Sequence, residues 1–354
     1  MAPSRRPTLL DVARAAGVSR SSVSYAFTRP ERVSPDLLTR VQAAAARLGY
    51  AGPDPAAATL RRGRAGAIGV LFTEALSYAF SDPAAVLFLQ GIASGGERAD
   101  VALTLLPVPP STPSTPAALA AIRGSVIDGA IVYSLPEAHP AVLALAARRL
   151  PLVRVDMDPA PGARVVRIED EGGARAVAGH VLERGHRTLG VLADRLSDDD
   201  HRGPAGPARR RAATFPVARW RLAGYAAALR ASGIDPDAVP LYDCAGSTVE
   251  HGRAGAHALL AQTPRPTALL AMTDQLAFGA LRAAADVGLD VPGELAVAGF
   301  DDLPDAALAD PPLTTVHQDH AEKGATAARL LIDEPAGAPR ELVLPTRLVR
   351  RGSV

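Results

Sequence analysis

A chain of 354 residues, 48% hydrophobic and with a single cysteine, is long enough for two or three packed units. One thiol excludes an internal disulfide and any multi-thiolate zinc or iron–sulfur site. The net charge of +1 hides an asymmetry: residues 1–66 carry eleven arginines against four acids, +7, and the remainder carries 27 bases against 33 acids, −6. A cationic head on an anionic body points to a polyanion as the head's partner, with a solvated basic terminus as the alternative.

The first residues, MAPSRRPTLLDVARAAG, are broken by Asp11 and Arg14, so no signal-peptide core is expected. No window reaches the roughly 18 uninterrupted apolar residues of a membrane span, and a cytoplasmic protein with no membrane role is expected. Thr8 and Asp11 form a capping pattern ahead of a helix that places Val12, Ala13 and Ala16 on one face and stops at Gly17. A second helix starts from Ser19 as N-cap. A third begins at Ser34 and Pro35, carries Leu37, Leu38, Val41, Ala45 and Leu48 at helical spacing, and stops at Gly49.

The stretch GVSRSSVSYAF, residues 17–27, fits the second helix of a helix-turn-helix: a glycine for the turn, with Val18, Val23, Ala26 and Phe27 turned inward. Arg20, Ser21, Ser22, Ser24 and Tyr25 are left outside, short polar groups suited to phosphates and an arginine able to fork onto guanine. A three-helix protein-interaction module is the alternative. A hydrolase elbow is not expected, because the second glycine of that motif is missing and a helix, not a strand, precedes it.

Residues 51–66 read as a linker containing a conditional helix, since prolines and glycines precede a short run with little to bury. From Ala67 the texture changes. Short apolar runs at 67–72, 101–106, 129–133, 152–156, 165–169, 188–194, 267–272 and 295–301 alternate with amphipathic segments at 172–184, 217–231 and 275–287. Continuous apolar strands between helices indicate parallel sheets covered on both faces, here two doubly wound lobes. The segments 107–116 and 194–216 are too rich in proline, glycine or charge for core elements, and the second is long enough for a lid or a mobile excursion. His317 and His320, and Asp198 to Asp200 with His201, lack further ligands at metal-site spacing, and no phosphate loop occurs, so neither a metal nor a cofactor is expected.

Six stretches taken together resemble the LacI/GalR family of bacterial transcription regulators over nearly the whole chain. They are TLLDVARAAGVSRSSVSYAF, RVSPDLLTRVQAAAARLGY, AAATLRRGRAGAIGVLF, GHRTLGVL, MTDQLAFGALRAAADVGLDVPGELAVAGFDD and PPLTTVHQDHAEKGATAARLL. The resemblance implies an α/β protein: an all-α helix-turn-helix head (1–50), a linker with a hinge helix (51–66), and a two-lobed, doubly wound, periplasmic-binding-protein-like (type I) body (67–354). By resemblance the N-terminal lobe takes about 66–170 and 313–335, and the C-terminal lobe 171–312 and 336–354.

Carried over position by position, the resemblance gives Arg20, Ser21 and Tyr25 base-reading roles and Thr8, Ser19, Ser22 and Ser24 phosphate contacts. Leu60 becomes the wedge of the hinge helix, with Arg61 beside it, a simple interdomain contact being the other reading of Leu60. Tyr25 and Thr28 depart from the family's frequent arginine and asparagine, so the preferred half-site is expected to differ, and Ala58 in place of a frequent hinge arginine removes one phosphate or minor-groove contact, leaving Arg61, Arg62 and Arg64 to supply charge. Ligands of doubly wound sheets sit beyond the C-terminal strand ends, which present Ser77, Tyr78, Ser134, Asp156, Asp170, Thr273 and Asp301, with Arg221 matching the family's ligand arginine. Any of these can instead cap a helix, Asp274 and Asp302 above all. The expectation is a non-enzymatic repressor, a homodimer or dimer of dimers, that binds pseudo-palindromic operator DNA under control of a sugar or nucleoside effector. A cytoplasmic sugar-binding module without a DNA role is the alternative, and a glycosidase is set aside because the resemblance supplies a binding cleft rather than a pair of catalytic carboxyls.

Overall fold

The computed structural model describes residues 7–52, 63–72, 77–96, 101–108, 115–160, 162–199, 201–333 and 340–354. The chain divides into two compact units, residues 1–66 and 67–354. Ala58, Leu60, Arg61 and Arg62 lie outside the described residues.

Among the described residues of the first unit, three α-helices form: α1 (Leu9–Ala16), α2 (Arg20–Thr28) and α3 (Pro35–Leu48). A reciprocal cap starts α1, with the Asp11 amide donating to the Thr8 hydroxyl and the Thr8 amide donating to the Asp11 carboxylate at 2.8 Å. Gly17 ends it at φ +66°, a left-handed turn that a side chain would strain. Val12, Ala13, Ala16, Val23, Ala26, Val41, Ala44 and Ala45 close the core, and Phe27 meets Tyr50 edge-on at 5.5 Å. Leu48, expected on the inner face of α3, is exposed, and Ala44 is buried instead.

The second unit holds two parallel sheets. The first is formed by β1 (Ala67–Phe72), β2 (Ala102–Pro107), β3 (Gly129–Tyr133), β4 (Leu152–Val155), β5 (Arg164–Ile168) and β12 (Glu341–Leu344), in the order β12-β5-β4-β3-β1-β2. The second is formed by β6 (Leu189–Ala193), β7 (Gly203–Pro204), β8 (Leu241–Asp243), β9 (Ala268–Ala271) and β10 (Ala296–Ala298), in the order β10-β9-β6-β8-β7. Only β7 runs antiparallel within it. In this sheet β9 sends Ala268 and Leu270 into one core and Leu269 and Ala271 into another, which is why the strand reads as continuously apolar. Chain order reverses between β1 and β3 in the first sheet and between β6 and β9 in the second, the places where open α/β sheets leave a crevice.

The helices of this unit are α4 (Tyr78–Ser81), α5 (Pro83–Gly96), α6 (Pro116–Gly124), α7 (Pro140–Ala146), α8 (Asp170–Glu183), α9 (Pro207–Arg211), α10 (Pro216–Ala231), α11 (Val249–Leu260), α12 (Asp274–Asp286) and α13 (His320–Ile332). Helices α5 and α13 pack backbone to backbone: a Cβ on Gly324 would stand 2.1 Å from the Phe88 carbonyl. That contact fixes the position of the first turn of α13.

Two expectations change. The stretch 194–216 is no mobile excursion, because it contributes the edge strand β7 and helix α9 and buries Leu196, Ala205, Ala213 and Phe215 in the core of the second sheet. Arg209 ties it down with bonds to Asp199 and to buried Asp243, and Arg210 donates to the carbonyls of Ala205, Pro236 and Val239. The lobe boundaries also move. Strand β12 extends the first sheet beside β5, whereas β11 (Thr315–His317) pairs with β13 (Arg347–Val349) and bridges to Ala298 and Asp301 of the second lobe. The chain therefore crosses back after His317 and again after Leu344, so 336–354 does not belong to the C-terminal lobe as a block.

Candidate functional site

On the head, the underside of α2 is spent on the core through Val23 and Ala26, and its opposite face carries Arg20, Ser21 and Tyr25 exposed, Tyr25 to 46%. Ser19 caps the helix by accepting from the Ser22 amide at 3.0 Å, and its hydroxyl also meets those of Ser21 (2.7 Å) and Ser22 (2.8 Å). This cluster keeps the N-terminal edge of α2 low and rich in donors. Ser24 is half-buried, and Thr8 is engaged in its capping box. Arg20, Arg29 and Arg32 carry no ion pair among the described residues, so their charge is available to a polyanion.

In the body, a cavity of about 110 Å³ opens at the strand ends of both sheets. Ser134, Asp156, Arg221, Thr273 and Asp301, five of the expected residues, line it together. Three of them occupy positive-φ backbone: Ser134 at +51°, Asp156 at +52° and Asp301 at +129°. Such conformations cost of order 1–3 kcal/mol each and persist where the surrounding structure enforces them. Thr273 lines the cavity and also caps α12, accepting from the Leu276 amide at 3.2 Å while sharing a 2.7 Å bond with Ser247.

The remaining expected residues stand elsewhere. Ser77 is exposed outside the lining, and the acid that reaches the cavity from that segment is Asp82, whose carboxylate caps α5. Tyr78 opens α4, and its side chain is not among the described ones. Asp170 lies behind the wall: it accepts from Arg221 Nε at 2.8 Å, while Arg221 Nη1 donates to the Met272 carbonyl and the guanidinium lies 3.7 Å over the Phe300 ring. Asp170 thus holds Arg221 and is not itself on the cavity lining. Asp274 is a buried strut between the Leu303 amide and the Thr315 hydroxyl, and Asp302 is held by Arg351 and His317.

Sequence reasoning missed Asp82, Asp194, Ser247, Gln318, His320 and Lys323, all of which line the cavity. Gln318, His320 and Lys323 enter from the return crossing and the first turn of α13, where helical spacing gives no sign of a site. Burial dominates the electrostatics. It pushes Asp170 up to about 6 despite Arg221, raises Asp194 and Asp301, and holds His320 well below the usual imidazole range, so His320 is neutral. Asp156 Oδ1 and both His320 nitrogens are buried without a hydrogen-bond partner. Unpaired buried polar atoms on a cavity wall are what a polar ligand would satisfy. No group of three metal-ligating side chains gathers among the described residues.

The periplasmic binding protein-like domain model matches residues 178–354, and the model of bacterial regulatory proteins of the lacI family matches residues 8–52. A helix-turn-helix transcriptional regulator of Mycobacterium tuberculosis is 41% identical over 350 residues, covering 98% of this chain and 97% of that protein. The crystal structure of the lac repressor dimer bound to operator and the anti-inducer ONPF superposes with a TM-score of 0.77 at 27% identity, covering 99% of each chain. A complex of the transcriptional regulator CelR with cellobiose gives 0.70 at 28% identity, covering 99% of this chain and 100% of the other.

Proposed function

Because the chain belongs to the lacI family of bacterial regulatory proteins, and is a DNA-binding transcriptional regulator and not an enzyme, we propose that it is a cytoplasmic homodimeric repressor whose operator affinity is set by a neutral polyhydroxylated effector held between the lobes. One observation carries the reading: a single chain joins a helix with an exposed Arg20, Ser21 and Tyr25 face to a body whose cavity wall has buried polar atoms without partners. In this reading Arg20, Ser21 and Tyr25 read bases, and Thr8, Ser19, Ser22 and Ser24 hold phosphates, with Leu60 and Arg61 engaging the minor groove. Ser134, Asp156, Arg221, Thr273 and Asp301 contact the effector, and Asp170 orients Arg221.

A second copy places two heads on a pseudo-palindrome, one per half-site. The similarity to an operator-bound dimer supports that assembly, as do the exposed apolar side chains of Leu103 on edge strand β2 and of Leu308. Effector binding to one arrangement of the lobes shifts the population that grips DNA. The test is a band shift on the DNA upstream of the protein's own coding sequence, at several salt concentrations, with sugars and nucleosides added. Specific retardation that one of these compounds changes is expected. If no duplex outcompetes random DNA at physiological salt, the reading fails. Tyr25→Ala is expected to change the preferred sequence, and an equal loss on all duplexes would make Tyr25 a backbone contact.

A further inference from the structure

Lys323 is the only lysine of the chain, and it is 1% exposed on the wall of the cavity. A buried ammonium is costly unless it is paired. Its Nζ donates to Asp156 Oδ2 at 2.5 Å and to Gln318 Oε1 at 2.8 Å, and it lies 5.5 Å from the centre of the Tyr133 ring. An ammonium has three N–H bonds, and the third has no oxygen partner among the described residues. Its partner Asp156, 3% exposed, likewise keeps one oxygen unsatisfied. The wall therefore offers one N–H donor and one carboxylate acceptor side by side.

We propose that Lys323 is the specificity-determining residue of the effector cleft: with Asp156 it forms a charge-compensated donor–acceptor pair that reads one hydroxyl of a neutral effector and rejects anionic ones. A hydroxyl both donates and accepts, so a single group satisfies Asp156 Oδ1 and the free N–H of Lys323 together. A phosphate or carboxylate at that point meets an ammonium already neutralised by Asp156; of the two other cations on the lining, Arg221 is paired with Asp170 and Arg195 donates to the Ala245 carbonyl, and Asp82, Asp194 and Asp301 stand on the same wall. An amine has no acceptor to offer Lys323 and competes with it for Asp156.

The pair also reaches across the cleft. Gln318, which accepts from Lys323, donates through Nε2 to Asp301 Oδ1 of the second lobe at 2.7 Å. A hydroxyl bound at Lys323 therefore sits on a hydrogen-bond chain joining the two lobes.

This inference rests on the effector reading of the cleft, and the experiment separates the two. One lysine means that full-length protein labelled with 13C,15N-lysine gives a single side-chain ammonium resonance, from Lys323. Glucose, ribose, cellobiose and cytidine serve as neutral probes, glucuronate and glucose 6-phosphate as anionic ones, and glucosamine as the amine. Compounds that raise the melting temperature are expected to be neutral and to move the Lys323 resonance. Lys323→Met, its fold checked by a cooperative melt, is expected to weaken those neutral probes by about 100-fold and to favour glucosamine over glucose.

A bound probe that leaves the resonance unmoved overturns the assignment and leaves the effector reading standing. So does unchanged neutral-probe affinity in a folded Lys323→Met, or tighter binding of the anionic probes by the wild type. Where Lys323→Met does not fold, the wild-type resonance decides. A panel in which nothing alters the melting temperature or operator binding counts against the effector reading itself, and this inference falls with it.

Discussion

Asp274 shows how far a carboxylate's surroundings can outweigh its position in the sequence. It follows a strand end, like the cavity residues, yet it is fully buried and holds together Leu303 and Thr315. Burial raises it to about 6 from its ordinary 3.8. The folded chain then binds more protons than the unfolded chain between those values, so this group's stabilisation is complete below about pH 4 and is lost as pH rises through 6. Asp274→Asn removes that pH-dependent part and is expected to destabilise the body more at pH 5 than at pH 7.5, measured by urea unfolding. A penalty that stays constant with pH would show that the carboxyl is not raised.

The same scale shows why part of the site was legible. Asp156, Thr273 and Asp301 follow strands that continuous apolar runs reveal, and Arg221 stands in a motif that the resemblance carries over. Lys323 and His320 sit in a helix whose partners are far away in the chain, and nothing in their local spacing distinguishes a cavity wall from a packed face. Ser77 lies near a strand end that the apolar run reveals, whereas Asp82 follows the four-residue helix α4, too short to show a helical period in sequence.

Among the elements, the stretch from Asp194 to Phe215 departs most from its reading. Its charge and glycine content resemble a solvated loop, yet a sparse set of apolar residues, Leu196, Ala205, Ala213 and Phe215, anchors it, and arginines bond inward to backbone carbonyls and acids. An arginine run reads as surface in sequence because only the structure shows what its guanidinium groups meet. Phe215→Ala is expected to cost roughly 3–5 kcal/mol in urea unfolding, the range for an aromatic removed from a core. A loss under ~0.5 kcal/mol would restore the mobile-loop reading. Very short strands escape the sequence for a different reason: β8, β11 and β13 each have three residues, too few to display a period of two.

At the scale of the whole body, the chain passes between lobes three times, and contacts cluster beside a crossing. Arg219 of α10 pairs with Asp158 beyond β4, and Arg167 of β5 lies 5.6 Å from the ring centre of Trp220. Trp220 is the sole tryptophan, so the emission spectrum of the intact protein reports on this junction alone. An effector that changes the lobe arrangement is expected to shift that emission with the same concentration dependence as its effect on operator binding. Emission that stays constant while operator affinity changes would place the coupling in a motion that does not pass through this junction.

The antiparallel edge strand β7 has a consequence for how copies of this molecule meet. Exposed sheet edges invite strand-on-strand growth, which has no built-in end point. At this border of the second sheet the outermost strand is two residues long and includes Pro204, which has no amide hydrogen to give a newcomer. That blunt border leaves encounters between molecules unable to zip into ribbons there, and association is steered toward side-chain faces that close on themselves at a fixed stoichiometry.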